Sequence, residues 1–216
     1  MPALFLARLY PILDVDALAR RGLAPLDVID AWLDAGVALW QLRAKSLPSG
    51  PFLELVDAAV HRSRAARARV VVNDRADLAR MGDADGVHLG QTDLAPAEAR
   101  RLLGPAAILG RSTHDEAQTR DACREPISYV AIGPVFGTSS KANPDPLVGL
   151  EGVHRAAQLA GDQDLPVVAI GGITLERAAE VLRAGATAVA VIADLLEGDP
   201  VRRIALYQRE LESLTL

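Results

Sequence analysis

A closed barrel of eight parallel strands, each followed by a helix, is the fold class this sequence predicts, as a single α/β domain over residues 1–216. Three observations predict it. Short apolar runs of strand length alternate eight times with stretches that carry apolar residues at helical spacing. No low-complexity linker or shift of composition interrupts the alternation. Polar residues collect at the C-terminal ends of the strands, whereas the strand interiors are apolar. Such strand–helix alternation gives a parallel sheet covered by helices, and eight units close into a (β/α)8 TIM barrel. An open flavodoxin-like or Rossmann sheet is the alternative, but no GxGxxG opens the first unit.

The elements follow in order. Leu9-Tyr10-Pro11-Ile12-Leu13-Asp14 reads as the first strand and ends in a carboxylate. Residues 25–35 carry Leu26, Val28, Ile29, Trp32 and Leu33 at helical spacing, and Gly36 stops that helix. The second strand covers 37–43. Pro48-Ser49-Gly50-Pro51 starts a helix that runs to about Ala66. Val70-Val71-Val72 is a buried strand ending in Asn73-Asp74-Arg75, and a short helix holds Leu78 and Met81. The fourth strand, Gly86-Val87-His88-Leu89-Gly90, runs into Gln91-Thr92-Asp93. Helix 95–103 has Pro96 near its start and Gly104 behind it, the placement a helix favours. Ile108-Leu109-Gly110 leads into Arg111-Ser112-Thr113-His114 and helix 115–124. Strand 128–133 precedes a polar loop from Gly137 to Gly149, whose length and Ser/Asn/Pro content suggest a lid. Helix 150–160 and strand Pro166–Ile170 follow. Then come Gly171-Gly172, Thr174 as an N-cap, helix 175–184, strand Ala188–Ile192 and a last helix from about Pro200.

Composition excludes several classes of function. A net charge of -5 and a pI near 5.4 argue against a nucleic-acid partner, so a local basic cluster serves a small anionic ligand better. No uncharged run approaches the ~20 residues of a membrane span, and the start of the chain does not read as a signal peptide. The single cysteine, Cys123, rules out an intrachain disulfide and fits a reducing cytoplasm. Its expected role is that of a small buried residue on a helix. Nothing in the composition fixes self-association, and a homo-oligomer remains open.

The polar strand ends carry the chemistry. Side chains alternate along a strand, so Gln41, Arg43 and Lys45 share one face while Leu42 and Ala44 point the other way. An amide and two cations aimed at one space suit a ligand with several anionic oxygens. Asp74 and Asp93 end adjacent strands, and beside Arg43, Lys45 and Lys141 they suit a Mg²⁺ shared with phosphate oxygens. The loop Gly137-Thr138-Ser139-Ser140-Lys141 offers hydroxyls and a lysine, and Gly171-Gly172 lets backbone approach an oxyanion where a helix begins. Two phosphate subsites follow: a diphosphate near strands two to four and a monophosphate near strands six to eight. His88 reads as structural. His114 follows a strand end within reach of a substrate, and His61 and His154 lie on helices. No nucleophile–base pair and no zinc spacing is present.

These motifs together resemble the thiamine-phosphate synthase (thiamine-phosphate pyrophosphorylase) family over nearly the whole chain. The resemblance rests on Leu9-Tyr10-Pro11, Gln41-Leu42-Arg43-Ala44-Lys45, Asn73-Asp74, Gly86 through Leu94 and Ser112-Thr113-His114-Asp115. It continues through Gly133-Pro134-Val135-Phe136-Gly137-Thr138, Ser140-Lys141, Gly149-Leu150 and Ala169-Ile170-Gly171-Gly172-Ile173. It implies a transferase that joins hydroxymethylpyrimidine diphosphate to a (carboxy)thiazole phosphate, with release of pyrophosphate. It further implies that the segment Gln41–Lys45, including Leu42 and Ala44, binds the pyrimidine diphosphate with Asn73, Ser112 and Lys141. Arg43, Lys45, Lys141 and Ser112 are the expected catalytic residues, and Asp74 and Asp93 the Mg²⁺ ligands. Thr138, Ser139, Ser140, Gly171, Gly172, Ile192 and Ala193 are expected at the thiazole phosphate. Ser140 and Ala193 depart from the family's usual threonine and serine; loss of the serine hydroxyl removes at most a bond of ~1–3 kcal/mol. A thiazole tautomerase paralogue, a silent barrel that binds thiamine intermediates and another phosphosugar barrel are the competing readings.

Overall fold

The computed structural model describes residues 6–137 and 145–214. Eight strands form a closed, all-parallel barrel in sequence order. They are β1 (Leu9–Asp14), β2 (Leu39–Arg43), β3 (Arg69–Asn73), β4 (Gly86–Leu89), β5 (Ile108–Thr113), β6 (Tyr129–Ile132), β7 (Val167–Ile170) and β8 (Ala188–Val191). The ring closes where Leu9 of β1 pairs with Val189 of β8. Around it lie α1 (Val15–Ala19), α2 (Pro25–Asp34), α3 (Ser49–Ala65), α4 (Ala76–Met81) and α5 (Pro96–Leu103). The ring of helices is completed by α6 (Glu116–Ala122), α7 (Gly149–Gly161), α8 (Leu175–Arg183) and α9 (Pro200–Glu212).

Strand alternation divides the core into two layers. Leu42, Val70, Val72, Val87, Leu109 and Val130 point outward and pack with the helices, a typical gain of ~1.5–3 kcal/mol for each aliphatic side chain buried. Tyr10, Ile12, Val71, Tyr129, Val168 and Ala190 point inward and fill the barrel. Trp32 of α2 meets Trp40 of β2 edge to face at 6.5 Å, and Trp40 Nε1 donates to Ser63 Oγ of α3 at 3.1 Å. That contact ties the second unit together from helix to strand to helix. Cys123 is buried at the C-cap of α6, where burial raises its thiol pKa, as suits a packing residue.

Two short elements lie outside the eight expected repeats. The first is α1, which starts because Asp14 Oδ1 accepts the Ala17 amide at 2.8 Å, an N-cap formed by the last residue of β1. The second is a 3-10 turn, Ala193–Leu196, directly after β8. Thr174 occupies the N-cap position of α8 as expected, but its side chain makes no cap bond. The Leu175 amide is taken instead by Asp194 Oδ2, at 3.2 Å, from that 3-10 turn. Among the described residues, no helix is long and apolar enough to cross a membrane.

Candidate active site

A cavity of about 1140 Å³ opens at the C-terminal ends of the strands, large enough for a ligand of drug size or more. Gln41, Arg43 and Lys45 all line it, as period-two alternation requires. Leu42 and Ala44 do not. Leu42 is fully buried in the outer layer and Ala44 packs against the same layer, so neither side chain reaches a ligand. Asn73, Asp74, Asp93 and Ser112 complete this half of the wall.

Charge here is balanced at close range. Arg43 Nη1 forms an ion pair with Asp14 Oδ2, and Asp14 is nearly inaccessible. The two are register partners across β1 and β2. Lys45 Nζ holds Asp74 in the same manner. Asp74 leaves β3 with φ +63°, a left-handed turn that Asp tolerates better than most side chains. Asp93 Oδ2 accepts the Gly90 amide at 2.7 Å. Burial pushes the Asp93 carboxyl above the usual carboxylate range, and the neighbouring Asp74 carboxylate adds to the rise. The Gly90 amide and Lys45 oppose it. Two carboxylates share one ammonium, which leaves room for a further positive charge. The donors are hard oxygens, and the described residues contain no group of three or more His, Cys, Asp and Glu arranged for a metal ion. The pair therefore suits a hard cation that keeps water or phosphate oxygens in its other positions, and does not suit a closed all-protein metal site.

The opposite half is built from glycines and helix starts. Gly171 and Gly172 have φ of +106° and +61°. A Cβ on Gly171 would meet Pro134 Cα at 2.6 Å, and one on Gly172 would meet Phe136 Cβ at 2.9 Å, so only glycine lets the β6 loop close over this turn. Phe136 N donates to Gly171 O at 2.9 Å, and Val135 N to Ile170 O at 2.9 Å. Ile192 and Ala193 line the same region at the start of the 3-10 turn. Asp194 fixes that turn: its Oδ2 accepts from Arg203 Nη2 at 2.7 Å and from Tyr207 Oη at 2.5 Å, besides the Leu175 amide. Thr138, Ser139, Ser140 and Lys141 lie outside the described residues, as does most of the expected Gly137–Gly149 lid.

The thiamine monophosphate synthase family model matches residues 9–195. The chain belongs to that family. A thiamine-phosphate synthase of Koribacter versatilis is 44% identical over 212 residues, covering 96% of this chain and 97% of the relative. A thiamine-phosphate synthase of Roseiflexus castenholzii is 42% identical over 187 residues, covering 87% and 80%. The solved thiamine phosphate pyrophosphorylase of Pyrococcus furiosus superposes with a TM-score of 0.80 at 28% identity, covering 94% of this chain and 95% of that one. As a member of the thiamine monophosphate synthase family, the chain is a transferase of thiamine biosynthesis.

Three further residues line the cavity: His88 and His114, both noted in the sequence, and Arg177, which the strand ends did not reveal. His88 is buried, and desolvation lowers its pKa to about 4, so the imidazole is neutral at pH 7. It is structural in the expected sense, yet it lies on the cavity wall beside Ser112. His114 Nδ1 is 2.6 Å from the Gly133 carbonyl oxygen, which holds the ring against the β6 loop. Arg177, in the first turn of α8, lines the cavity with its guanidinium 4.6 Å from the centre of the Phe136 ring. No carboxylate of the described residues pairs with it. Its only signal in the sequence is its position three residues after Thr174, which a helix of unknown rotation does not resolve.

Proposed function

We propose that the chain couples hydroxymethylpyrimidine diphosphate with a (carboxy)thiazole phosphate to give thiamine phosphate and pyrophosphate. The observation that carries this reading is a single cavity with two unlike anion-binding halves. Gln41, Arg43, Lys45, Asn73 and Ser112 stand beside the Asp74–Asp93 pair on one side, and Gly171, Gly172 and Ala193 on the other. Each half suits one phosphorylated substrate, and the cavity puts their reactive ends together.

Arg43 and Lys45 hold the departing diphosphate by charge, and Ser112 adds a hydroxyl donor. Asp74 and Asp93 would hold Mg²⁺, which when bound neutralises charge building on the leaving oxygens. The diphosphate leaves first, and the electron-rich aminopyrimidine spreads the positive charge left on its methylene carbon. The thiazole nitrogen then supplies the electron pair of the new bond. No residue has to remove a proton from the nucleophile, because the thiazole nitrogen attacks with its own lone pair. Backbone amides near Gly171, Gly172, Ile192 and Ala193, with Arg177, hold the thiazole phosphate together with Thr138, Ser139 and Ser140, and Lys141 joins Arg43 and Lys45 on the diphosphate. The one buried thiol and the absence of a membrane helix among the described residues support a cytoplasmic setting.

The test is pyrophosphate release from the purified protein with both substrates and Mg²⁺, beside Asp93→Ala. Release by the wild type and near-silence in the variant are expected. A folded wild type that binds thiazole phosphate but releases nothing would overturn the reading and leave a tautomerase or a silent binder.

A further inference from the structure

The floor of the cavity holds a run of polar side chains whose middle members, Tyr10, Tyr129 and His88, the proposed reaction leaves unused. Gln41 Nε2 donates to Tyr10 Oη at 3.5 Å. The Tyr10 and Tyr129 hydroxyl oxygens are 3.1 Å apart, and Tyr129 Oη is 2.9 Å from His88 Nδ1. His88 Nε2 lies 2.8 Å from Ser112 Oγ. Five residues from five strands thus connect, through the barrel interior, one expected diphosphate contact to another. The fold reserves space for this line. Gly110 of β5 stands in register between His88 of β4 and Tyr129 of β6. A Cβ at that position would overlap His88 Nδ1 and the Tyr129 hydroxyl, so any other residue would displace the bond between them. The rings are held as well: His88 stacks on Tyr129 at 5.6 Å with an 18° tilt, and Tyr10 meets Tyr129 edge-on at 5.6 Å.

The direction of the hydrogens follows from the ends. An amide nitrogen can only donate, and each hydroxyl carries one hydrogen. Tyr10, having accepted from Gln41, donates to Tyr129, and Tyr129 donates to Nδ1 of His88. A neutral imidazole that accepts at Nδ1 carries its hydrogen on Nε2 and donates it to Ser112 Oγ. In the opposite direction Tyr10 would accept from both Gln41 and Tyr129, and its own buried hydroxyl hydrogen would have no acceptor in the line. We propose that the line runs one way, from Gln41 through Tyr10, Tyr129 and His88, and so leaves the Ser112 hydroxyl hydrogen free to be donated to an oxyanion in the cavity. His88 and Tyr129 are positioning residues that act through Ser112. Tyr10, Tyr129 and His88 are all buried, so the line is shielded from competing water. Naming the oxyanion as the pyrimidine diphosphate rests on the proposed function; the direction of the line does not.

Nitrogen-15 NMR of histidine-labelled protein, with His88 identified by its loss in His88→Asn, reads the tautomer directly. The expected result is a hydrogen on Nε2 and none on Nδ1 in the wild type. A hydrogen on Nδ1 overturns the proposal, and this readout needs no activity. A kinetic cycle supplies the second test. Tyr129→Phe should lower kcat about tenfold when Ser112 is present and change it less than about twofold in Ser112→Ala, since a contact made through Ser112 cannot be lost twice. Equal losses in both backgrounds would make Tyr129 merely structural and refute the positioning role. Absence of pyrophosphate release from the wild type would fail the functional reading alone, with the tautomer still deciding this one.

Discussion

Arg43 has two claims on its guanidinium, and one double substitution separates them. It pairs with Asp14, its register partner on β1, and it lines the wall expected to bind diphosphate. Arg43→Met removes the charge and leaves the Asp14 carboxylate, 3% exposed, without its cation. Stranding a buried partner typically costs 3–5 kcal/mol, but here the cavity admits water and the Ala17 amide still donates to Oδ1, so we expect the low end, about 3 kcal/mol. For a chain of this length that is a fall in Tm of roughly 6–12 °C. Asp14→Asn keeps an oxygen for the Ala17 amide and removes the stranded charge, so Arg43→Met/Asp14→Asn should recover to within about 1 kcal/mol of the wild type. Activity should not recover with it. Both Arg43 variants should release pyrophosphate about 100-fold more slowly, because the charge on the leaving group has gone. Urea unfolding at constant m-value and initial rates of pyrophosphate release read the two quantities. A loss under about 1 kcal/mol in Arg43→Met would refute the buried-pair argument. Recovery of rate in the double variant would show that Arg43 serves only Asp14.

Other outcomes follow from the same geometry. Chelation should stop pyrophosphate release, and Asp93→Asn should raise the Mg²⁺ needed for half-maximal rate by about tenfold or more; metal-independent turnover would remove the assignment of Asp74 and Asp93. Arg177→Gln should raise KM for the thiazole phosphate by about tenfold, the worth of a charge-assisted bond, and leave KM for the pyrimidine diphosphate alone. An unchanged thiazole KM would make Arg177 only the neighbour of Phe136. His88 is held neutral, with its pKa lowered to about 4 from 6.5 by burial. Between those values the unfolded chain binds more protons than the folded one, so stability falls as pH drops through this window, by up to about 3 kcal/mol. Urea midpoints between pH 7 and pH 4 should therefore fall less steeply in His88→Gln than in the wild type, and parallel curves would contradict the burial argument.

Much of the site was legible because a strand alternates whatever surrounds it. The rule that sets Gln41, Arg43 and Lys45 on one face also sets Leu42 and Ala44 on the other, and the barrel applies it: the first three line the cavity and the last two pack outward. A reading that takes the whole segment as ligand contacts therefore claims two side chains too many. The strand count and order were legible for a related reason, since each strand contains a short buried apolar run, with polar residues mainly towards its C-terminal end. What stayed hidden depends on register, which no single segment contains. Asp14 pairs with Arg43 because β1 and β2 align those two residues, and His88 meets Tyr129 because Gly110 lies between them in β5. Tyr10 and Tyr129 read as ordinary strand aromatics until the barrel closes and turns both inward. Asp194 was missed for a different reason. Its work is done across three elements, and a local rule assigned the α8 cap to Thr174, the nearer hydroxyl, whereas the amide is taken from a turn that follows another strand. Polarity at a strand end thus marks where chemistry occurs. The groups that hold it in place are inward-facing residues of neighbouring strands, and they become visible only once the strands are paired.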